Sequence, residues 1–241
     1  MLHVGGFSMK WIKNCLLFYM IIFACFFCGV QAVDQVITVF SETERLDNRI
    51  CIVIDPGHGG EDGGAVSCSG RLESAFNLEV ALRLNDLFHL LGYDTRMIRT
   101  SDTSIYINGN TIAQKKISDL KERVRIVNET PNAMLVSIHQ NQFPNSKYSG
   151  AQVFYAGTEG SEILAKNMQE LLVTTLNPGS NRRCKQSSGV YLMEHIRCTG
   201  ILIECGFLSN PEEEYKLRTP EYQRKLCCVI ASSVSGFLSN A

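Results

Sequence analysis

Four side chains of this sequence could together bind a metal ion and move a proton. His58 lies in a glycine-rich segment behind an apolar run, His139 and Glu204 each follow another apolar run, and Glu73 stands near the start of an amphipathic segment. Two imidazoles and one carboxylate are a recurrent ligand set of catalytic zinc sites, which keep one position open for water. A second carboxylate can then serve as general base. These residue types predict a metal-dependent hydrolase.

Hydrophobic patterning supplies the elements that must position these residues. Continuous apolar runs predict strands buried in a parallel sheet, and apolar residues at three- and four-residue spacing predict helices. The predicted strands are 50–54, 94–99, 134–138, 151–156 and 201–203, and the predicted helices are 71–91, 117–127, 161–176, one starting after Asn210 and one starting after Thr219. This alternation predicts an α/β fold, a three-layer sandwich whose mostly parallel central sheet is flanked by helices in a single domain.

The placement of the four residues favours a joint site over four unrelated roles. Ligands of open α/β sheets bind beyond the carboxyl ends of the strands, where His58, His139 and Glu204 are expected. Taken alone, either histidine is more often structural, and Glu73 could be a glutamate favoured by the helix dipole. Glu204 is the hardest to explain as structural, because an acid that ends a buried strand is costly without a partner.

The N-terminal segment predicts export. Lys10 and Lys13 precede an apolar run of 16 residues, Cys15 to Val30, and a small residue, Ala32, follows. This pattern predicts that residues 1–32 are a signal peptide, with an uncleaved membrane anchor as the alternative left open. Residues 33–49 are polar and unpatterned and are interpreted as a linker, and residues 50–239 as the catalytic domain.

Charge and cysteine content narrow the function further. The net charge is −1, so no nucleic-acid partner is expected. Of the ten cysteines, three lie in the predicted leader, and the odd number that remains excludes complete disulfide pairing within one chain. Cys51, Cys205 and Cys227 lie in apolar patterns, where cysteine behaves as a small hydrophobic residue.

The motifs resemble those of one enzyme family. Four segments carry the resemblance: 52–60 (IVIDPGHGG), Glu73 with Asn77-Leu78, 137–141 (SIHQN) and 204–210 (ECGFLSN). They resemble the zinc-dependent N-acetylmuramoyl-L-alanine amidases of the amidase 3 family, from about residue 50 to 239. The resemblance implies one zinc ion per chain held by His58, Glu73 and His139, with Glu204 catalytic. It also implies a weaker substrate-binding role for Asn141.

Further segments resemble the germination-specific subgroup of that family. They are 114–120 (QKKISDL), 150–155 (GAQVFY) and 190–193 (VYLM). The subgroup removes peptides from spore-cortex muramic acid so that muramic-δ-lactam can form. The implied partner is peptidoglycan, in the cell wall or in the cortex space of the spore. A vegetative wall amidase or autolysin, a zinc peptidase and an inactive wall-binding module are the alternatives. The need for a partner protein, and membrane anchoring through the leader, are left open.

Overall fold

The computed structural model describes residues 18–20, 23, 26, 31 and 49–240. By its contacts the chain separates into two units, Met1–Arg49 and Ile50–Ala241. The few described residues between 18 and 31 are helical. Among the described residues, no helix combines the length and the apolar character needed to cross a bilayer. Most of the predicted leader, 1–32, and of the predicted linker, 33–49, lies outside the described residues, so both remain predictions.

A six-stranded sheet forms the centre of the second unit. Its strands are β1 (Cys51–Pro56), β2 (Asp94–Met97), β3 (Ala133–Asn141), β4 (Gln152–Tyr155), β5 (Lys185–Gln186) and β6 (Gly200–Phe207). Their order across the sheet is β2-β1-β3-β6-β4-β5. The pairs β2–β1, β1–β3 and β3–β6 are parallel, whereas β4 runs antiparallel to β6 and parallel to β5. The predicted α/β fold with a mostly parallel central sheet is confirmed.

Helices cover both faces of this sheet. They are α1 (Glu73–Leu90), α2 (Ile112–Glu129), α3 (Ser161–Thr175), α4 (Tyr191–His195), α5 (Pro211–Leu217) and α6 (Pro220–Ser239). Alternate residues of each strand enter opposite cores, as the two-residue period of a strand requires. Ile52 and Ile54 of β1 join the core with α1, α3 and α6, whereas Val53 joins the core with α2 and α4.

Two helix starts follow their predicted capping signals. The side chains of Asn210 and Thr219 accept hydrogen bonds from backbone N–H groups of the first turns of α5 and α6, and proline follows each cap. Glu213, at the third position of α5, would accept from the Asn210 N–H in a capping box, but that N–H donates to the Phe207 carbonyl. Glu213 is buried and accepts from the backbone N–H groups of Gly150 and Phe207 instead, so it ties α5 to the sheet.

The predicted ends of two strands need correction. His139 and Glu204 were expected just behind their strands, but β3 runs to Asn141 and β6 runs to Phe207. Both residues therefore lie within the sheet, where they are register partners. The apolar runs predict only part of each strand, because backbone pairing does not depend on apolar side chains and continues beyond them. Strand β5 and helix α4 were not predicted, because two and five residues show no periodicity.

Candidate metal and catalytic site

His58, Glu73 and His139 meet at the edge of the sheet. One nitrogen of each histidine and one carboxylate oxygen of Glu73 lie within 4.8 Å of one another. The Glu73 carboxylate stands between the two rings, 3.3 Å from His58 Nε2 and 3.0 Å from His139 Nδ1. Two imidazole nitrogens and a carboxylate at this spacing form a donor set that could hold a metal ion.

The loop behind β1 brings His58 into this cluster. His58 has a backbone φ of 59°, in the left-handed region that few non-glycine residues adopt. The preceding Gly57 passes so close to His139 that a Cβ there would lie 2.2 Å from its ring. A Cβ at Gly64 would likewise lie 2.6 Å from the Glu73 carboxylate. The glycine-rich segment therefore allows backbone and ligand side chains to pack directly against each other.

Two buried arginines hold that loop in place through its carbonyl groups. Arg99 donates to the carbonyl oxygens of Pro56 and Gly57, at 3.0 Å each. Arg123 donates to the carbonyl oxygens of Pro56 at 3.0 Å and His58 at 2.7 Å. A guanidinium group can satisfy several fixed acceptors at once, because its N–H groups lie in one rigid plane. The strained backbone at His58 is thereby fixed by two side chains from elsewhere in the fold.

Arg123 is itself neutralised within the fold. It pairs with the buried Asp55 of β1 and with Asp119 of α2. Ser137 of β3 donates a further hydrogen bond to Asp55, at 2.7 Å. Burial raises the pKa of Asp55, but the adjacent Arg123 and the other partners more than offset that effect and hold the pKa below its usual value. Asp55 therefore stays ionised, and the buried charges are compensated.

Hydrogen bonds from neighbouring groups fix the carboxylate of Glu73. It accepts from the backbone N–H groups of Ala65 at 3.0 Å and Gln140 at 3.1 Å, and from Asn77 Nδ2 at 3.2 Å. Burial alone raises the pKa of Glu73, but hydrogen bonds from His139 and His58 outweigh it, and the net pKa is lowered. Glu73 is thus a rigid, ionised group, as a metal ligand must be.

Asp62 fixes the ring of His58 from its other side. Asp62 Oδ2 lies 3.0 Å from His58 Nδ1, and Lys116 of α2 in turn contacts Asp62. Burial lowers the pKa of His58, but the hydrogen bonds to Asp62 and Glu73 outweigh that effect and raise the pKa to about 9. A carboxylate on one nitrogen leaves the other nitrogen, Nε2, directed at the cluster, which is the usual outer-shell arrangement of histidine ligands.

Glu204 stands beside the cluster without being part of it. It is the register partner of His139 on the neighbouring strand, and the alternation of side chains puts both on the same face of the sheet. Its Oε2 atom is buried and has no hydrogen-bond partner among the described residues. Burial raises the pKa of Glu204 to about 7. A carboxyl group with that pKa can accept and release a proton near neutral pH.

The similarity of the chain to known proteins decides its family. The family model described as N-acetylmuramoyl-L-alanine amidase, amidase 3, matches residues 52–235. The chain belongs to this amidase 3 family. Over 185 residues it is 42% identical to the germination-specific N-acetylmuramoyl-L-alanine amidase of Bacillus subtilis strain 168, with 76% of each chain covered.

Solved structures support the same assignment for this amidase. The CwlD amidase from Clostridioides difficile, solved in complex with the GerS lipoprotein, matches with a TM-score of 0.77 and 36% identity over 80% of this chain and 100% of that one. An N-acetylmuramoyl-L-alanine amidase from Clostridium difficile 630 matches with a TM-score of 0.68 and 32% identity over 80% and 98%. The predicted family and the predicted class of peptidoglycan amidase are confirmed.

Three further polar residues of the amidase lie outside the cluster of His58, Glu73 and His139. Asn141 ends β3, two residues beyond His139, and its side chain makes no hydrogen bond with a described residue. Two further histidines, His89 on α1 and His195 on α4, contact Thr95 and the Tyr191 carbonyl. Neither belongs to the metal-ligating cluster.

Three positioning residues of the amidase escaped the sequence analysis. Asp62 had a usable signal, because a carboxylate four residues after a candidate histidine ligand can orient its ring. Arg99 and Arg123 had none for their contact with the His58 loop, since the loop carbonyls that they bind are more than 40 residues away in sequence. Bonds of that kind depend on the tertiary fold and not on any local pattern.

Proposed function

We propose that this chain hydrolyses the amide bond between N-acetylmuramic acid and L-alanine with one zinc ion held by His58, Glu73 and His139. The observation that carries this proposal is the three-ligand cluster beside Glu204, a carboxylate that has a buried oxygen without a partner. The fit of the donor set supports zinc, because two imidazoles and a carboxylate leave a fourth position for water or substrate.

The residues divide the work of hydrolysis between binding and proton transfer. When bound, zinc supplies Lewis acidity that polarises the scissile amide and makes a water more acidic. Glu204 accepts the proton of the attacking water and delivers it to the nitrogen of the departing L-alanine, as general base and then general acid.

His58, Glu73 and His139 would hold the zinc ion. Asp62 and the two buried arginines keep His58 in position. We expect Asn141, at the end of β3, to contact substrate.

The natural substrate that we propose is the peptidoglycan of the spore cortex. Support comes from the relative named as germination-specific, which is 42% identical to this chain. Removal of the peptide from muramic acid in the cortex would expose the carboxyl group from which a muramic-δ-lactam can form. The vegetative wall is the second candidate substrate.

A location outside the cytoplasmic membrane, reached by export, fits this substrate. Peptidoglycan lies outside that membrane, and the sequence pattern of residues 1–32 supports a leader. A chain beginning at residue 33 should therefore be soluble and active. Aggregation of that shortened chain would contradict the boundary.

We also propose that a protein partner assists this enzyme, because the CwlD relative was solved in complex with a lipoprotein. Zinc content and activity of the purified chain by itself test this proposal. Full loading and full activity without any other protein would contradict it.

Mass spectrometry of digested peptidoglycan tests the proposed reaction. The purified chain is incubated with vegetative sacculi and with spore cortex, and both soluble and insoluble products are analysed. Free peptides beginning with L-alanine, together with intact glycan strands, are the expected products. New reducing ends would indicate a glycosidase, and release of D-alanine alone would indicate a carboxypeptidase. The Glu204→Gln variant, treated in parallel, controls for contaminating hydrolases.

A further inference from the structure

A wide basic cleft lies next to the proposed catalytic edge. Its volume is about 950 Å³, and it lies between the loop before β4, the segment before β5 and the first turns of α5. Five cationic side chains line it, Lys147, Arg182, Arg183, Lys185 and Lys216. The two carboxylates of the lining are Glu212 and Glu213, and Glu213 is buried and accepts two backbone hydrogen bonds. The cations of the cleft therefore outnumber the carboxylates of the cleft, although the whole chain has a net charge of −1.

Most cations of this cleft have no partner within the described part of the chain. The side chains of Lys147, Arg183, Lys185 and Lys216 make no hydrogen bond or ion pair with a described residue. Of the five described lysines outside the cleft, Lys121 has no ion pair with a described residue, and the other four are each paired with a carboxylate: Lys115, Lys116, Lys166 and Lys225. Several unpaired cations around one concave surface favour an anionic ligand, because a bound anion reduces the repulsion between them.

Arg182 is the one cation of the cleft that the fold holds in a fixed orientation. Its Nε donates to the Ser149 carbonyl at 2.8 Å, its Nη1 donates to Gln152 Oε1 at 2.8 Å, and its guanidinium lies 4.6 Å from the centre of the Phe207 ring. The remaining nitrogen, Nη2, makes no hydrogen bond with any described residue. A preorganised guanidinium with free N–H groups is well suited to bind a carboxylate.

Gln152 connects the cleft to the catalytic edge. It is the register partner of Glu204, which is in turn the register partner of His139. The three residues therefore form one row across β4, β6 and β3, on the same face of the sheet. Gln152 also lines the basic cleft. A substrate bound over His139 and Glu204 can thus extend directly into the cleft beyond β4.

The chemistry of the substrate decides which of its parts belongs there. The amide bond to L-alanine uses the carboxyl group of muramic acid, so the sugar side of that bond has no charge of its own. The peptide side ends in a carboxylate and can carry others. We propose that the basic cleft binds the carboxylate-bearing peptide side of the substrate, with Arg182 pairing with a peptide carboxylate. This inference rests on the proposed function and adds the residues that select the peptide.

A pair of synthetic substrates tests the proposal with the full chain. One is an N-acetylmuramoyl peptide with free carboxylates, and the other is the same molecule with carboxamides. The expected result is a higher kcat/KM for the acidic substrate, with the difference mostly in KM. The ratio of the two kcat/KM values should fall at least about tenfold in Arg182→Gln, the size expected for loss of a charge-assisted hydrogen bond.

Two further variants guard against a folding defect in Arg182→Gln. The double variant Arg183→Gln/Lys185→Gln removes exposed cations without side-chain partners in the described region, and it should also lower the ratio. Lys121→Gln, an exposed cation on α2 outside the cleft, is the control and should leave the ratio unchanged. A ratio that stays as in the wild type in both cleft variants would overturn the proposal, as would an equal loss on both substrates.

Calorimetry separates failure of the cleft from failure of the proposed reaction. The free peptide of the acidic substrate, with its carboxylates, should bind the wild type. Its affinity should be at least about tenfold lower for Arg182→Gln. If the wild type binds this peptide but hydrolyses neither substrate, the proposed function fails and the cleft stands. If it hydrolyses both equally and does not bind the peptide, the cleft fails. Displacement of the peptide by an equal concentration of inorganic phosphate would mean a general anion site and would overturn the assignment.

Discussion

His139 and Glu204 face each other as register partners on the parallel strands β3 and β6. This pairing places a proposed ligand and a proposed general base side by side, and strand pairing fixes the backbone of each. The proposed ligand His139 also reaches Glu73 at 3.0 Å, whereas Glu204 Oε2 makes no hydrogen bond within the described part of the chain. Two carboxylates near one histidine therefore have different environments and different expected roles.

The first prediction concerns the role of Glu204. Glu204→Gln preserves the shape of the side chain but removes the basic oxygen, so zinc content and folding should stay near normal. Activity should fall at least ~100-fold, the lower end of what general acid–base catalysis contributes. Metal analysis and hydrolysis rates on the same preparation check both statements. Loss of zinc from this variant would make Glu204 a ligand instead.

Glu73→Gln should behave in the opposite way. The Glu73 carboxylate lies within 3.3 Å of one nitrogen of each histidine, so its charge is needed where the metal would bind. Its replacement by an amide should weaken zinc binding itself, measured by competition with a chelator. If Glu73→Gln kept its zinc while Glu204→Gln lost it, the two roles would have to be exchanged.

The second prediction concerns metal content. The purified chain should carry about one zinc ion, the stoichiometry of a single three-ligand site. His58→Ala and His139→Ala should each lose it, because two remaining ligands hold the ion weakly. His89→Ala, a histidine on α1 outside the cluster, is the control and should retain the metal. Full zinc retention in either ligand variant, measured by elemental analysis, would disprove the assignment.

The sequence predicted which side chains meet at the edge of the sheet better than it predicted the residues that support them. His58, His139 and Glu204 could be found because each comes near the end of a continuous apolar run, and parallel strands bring such ends together. The long elements α1, α3 and α6 could be found because their periodicity persists over several turns. Strand β5 and helix α4 could not, since they are too short to repeat. Arg99 and Arg123 could not either, because a side chain that binds a distant carbonyl leaves no local pattern.

The third prediction tests Asp62 as a positioning residue. Asp62→Asn keeps the size of the side chain but loses the charge that fixes the His58 ring at 3.0 Å. Zinc affinity should fall about 10–100-fold, as for other outer-shell partners of histidine ligands. The neighbouring Glu61, exposed and paired with Lys115, provides the matched control Glu61→Gln, which should bind zinc normally. Equal affinities in the two variants would remove Asp62 from the site.

The fourth prediction tests the buried arginine that holds the His58 loop. Arg123→Met would leave Asp55 as an unpaired buried charge, and the loss of stability should be about 3–5 kcal/mol. Arg125, exposed on the same helix and paired with Glu122, is the matched control. Its replacement by Met should cost much less, because an exposed ion pair contributes little to stability. Denaturant unfolding of both variants compares them, and similar losses would contradict the structural role of Arg123.

The last prediction concerns the effect of Glu204 on stability in the metal-free protein. The pKa of Glu204 is raised from 4.5 to about 7 by burial, so the folded state keeps a proton that the unfolded state releases. The stabilising effect of this group is complete below about pH 4.5 and is lost as the pH rises through about 7. At pH 8 the ionised carboxylate should therefore cost on the order of 3 kcal/mol. Glu204→Gln removes that cost, so the variant should be more stable than the wild type at pH 8, with a smaller difference at pH 5.

Denaturant unfolding at both pH values with a chelator present measures the difference between the two proteins, which isolates Glu204 from other titrating groups. A difference that is the same at both pH values would mean that Glu204 is ionised throughout, and would exclude burial as the source of its basicity.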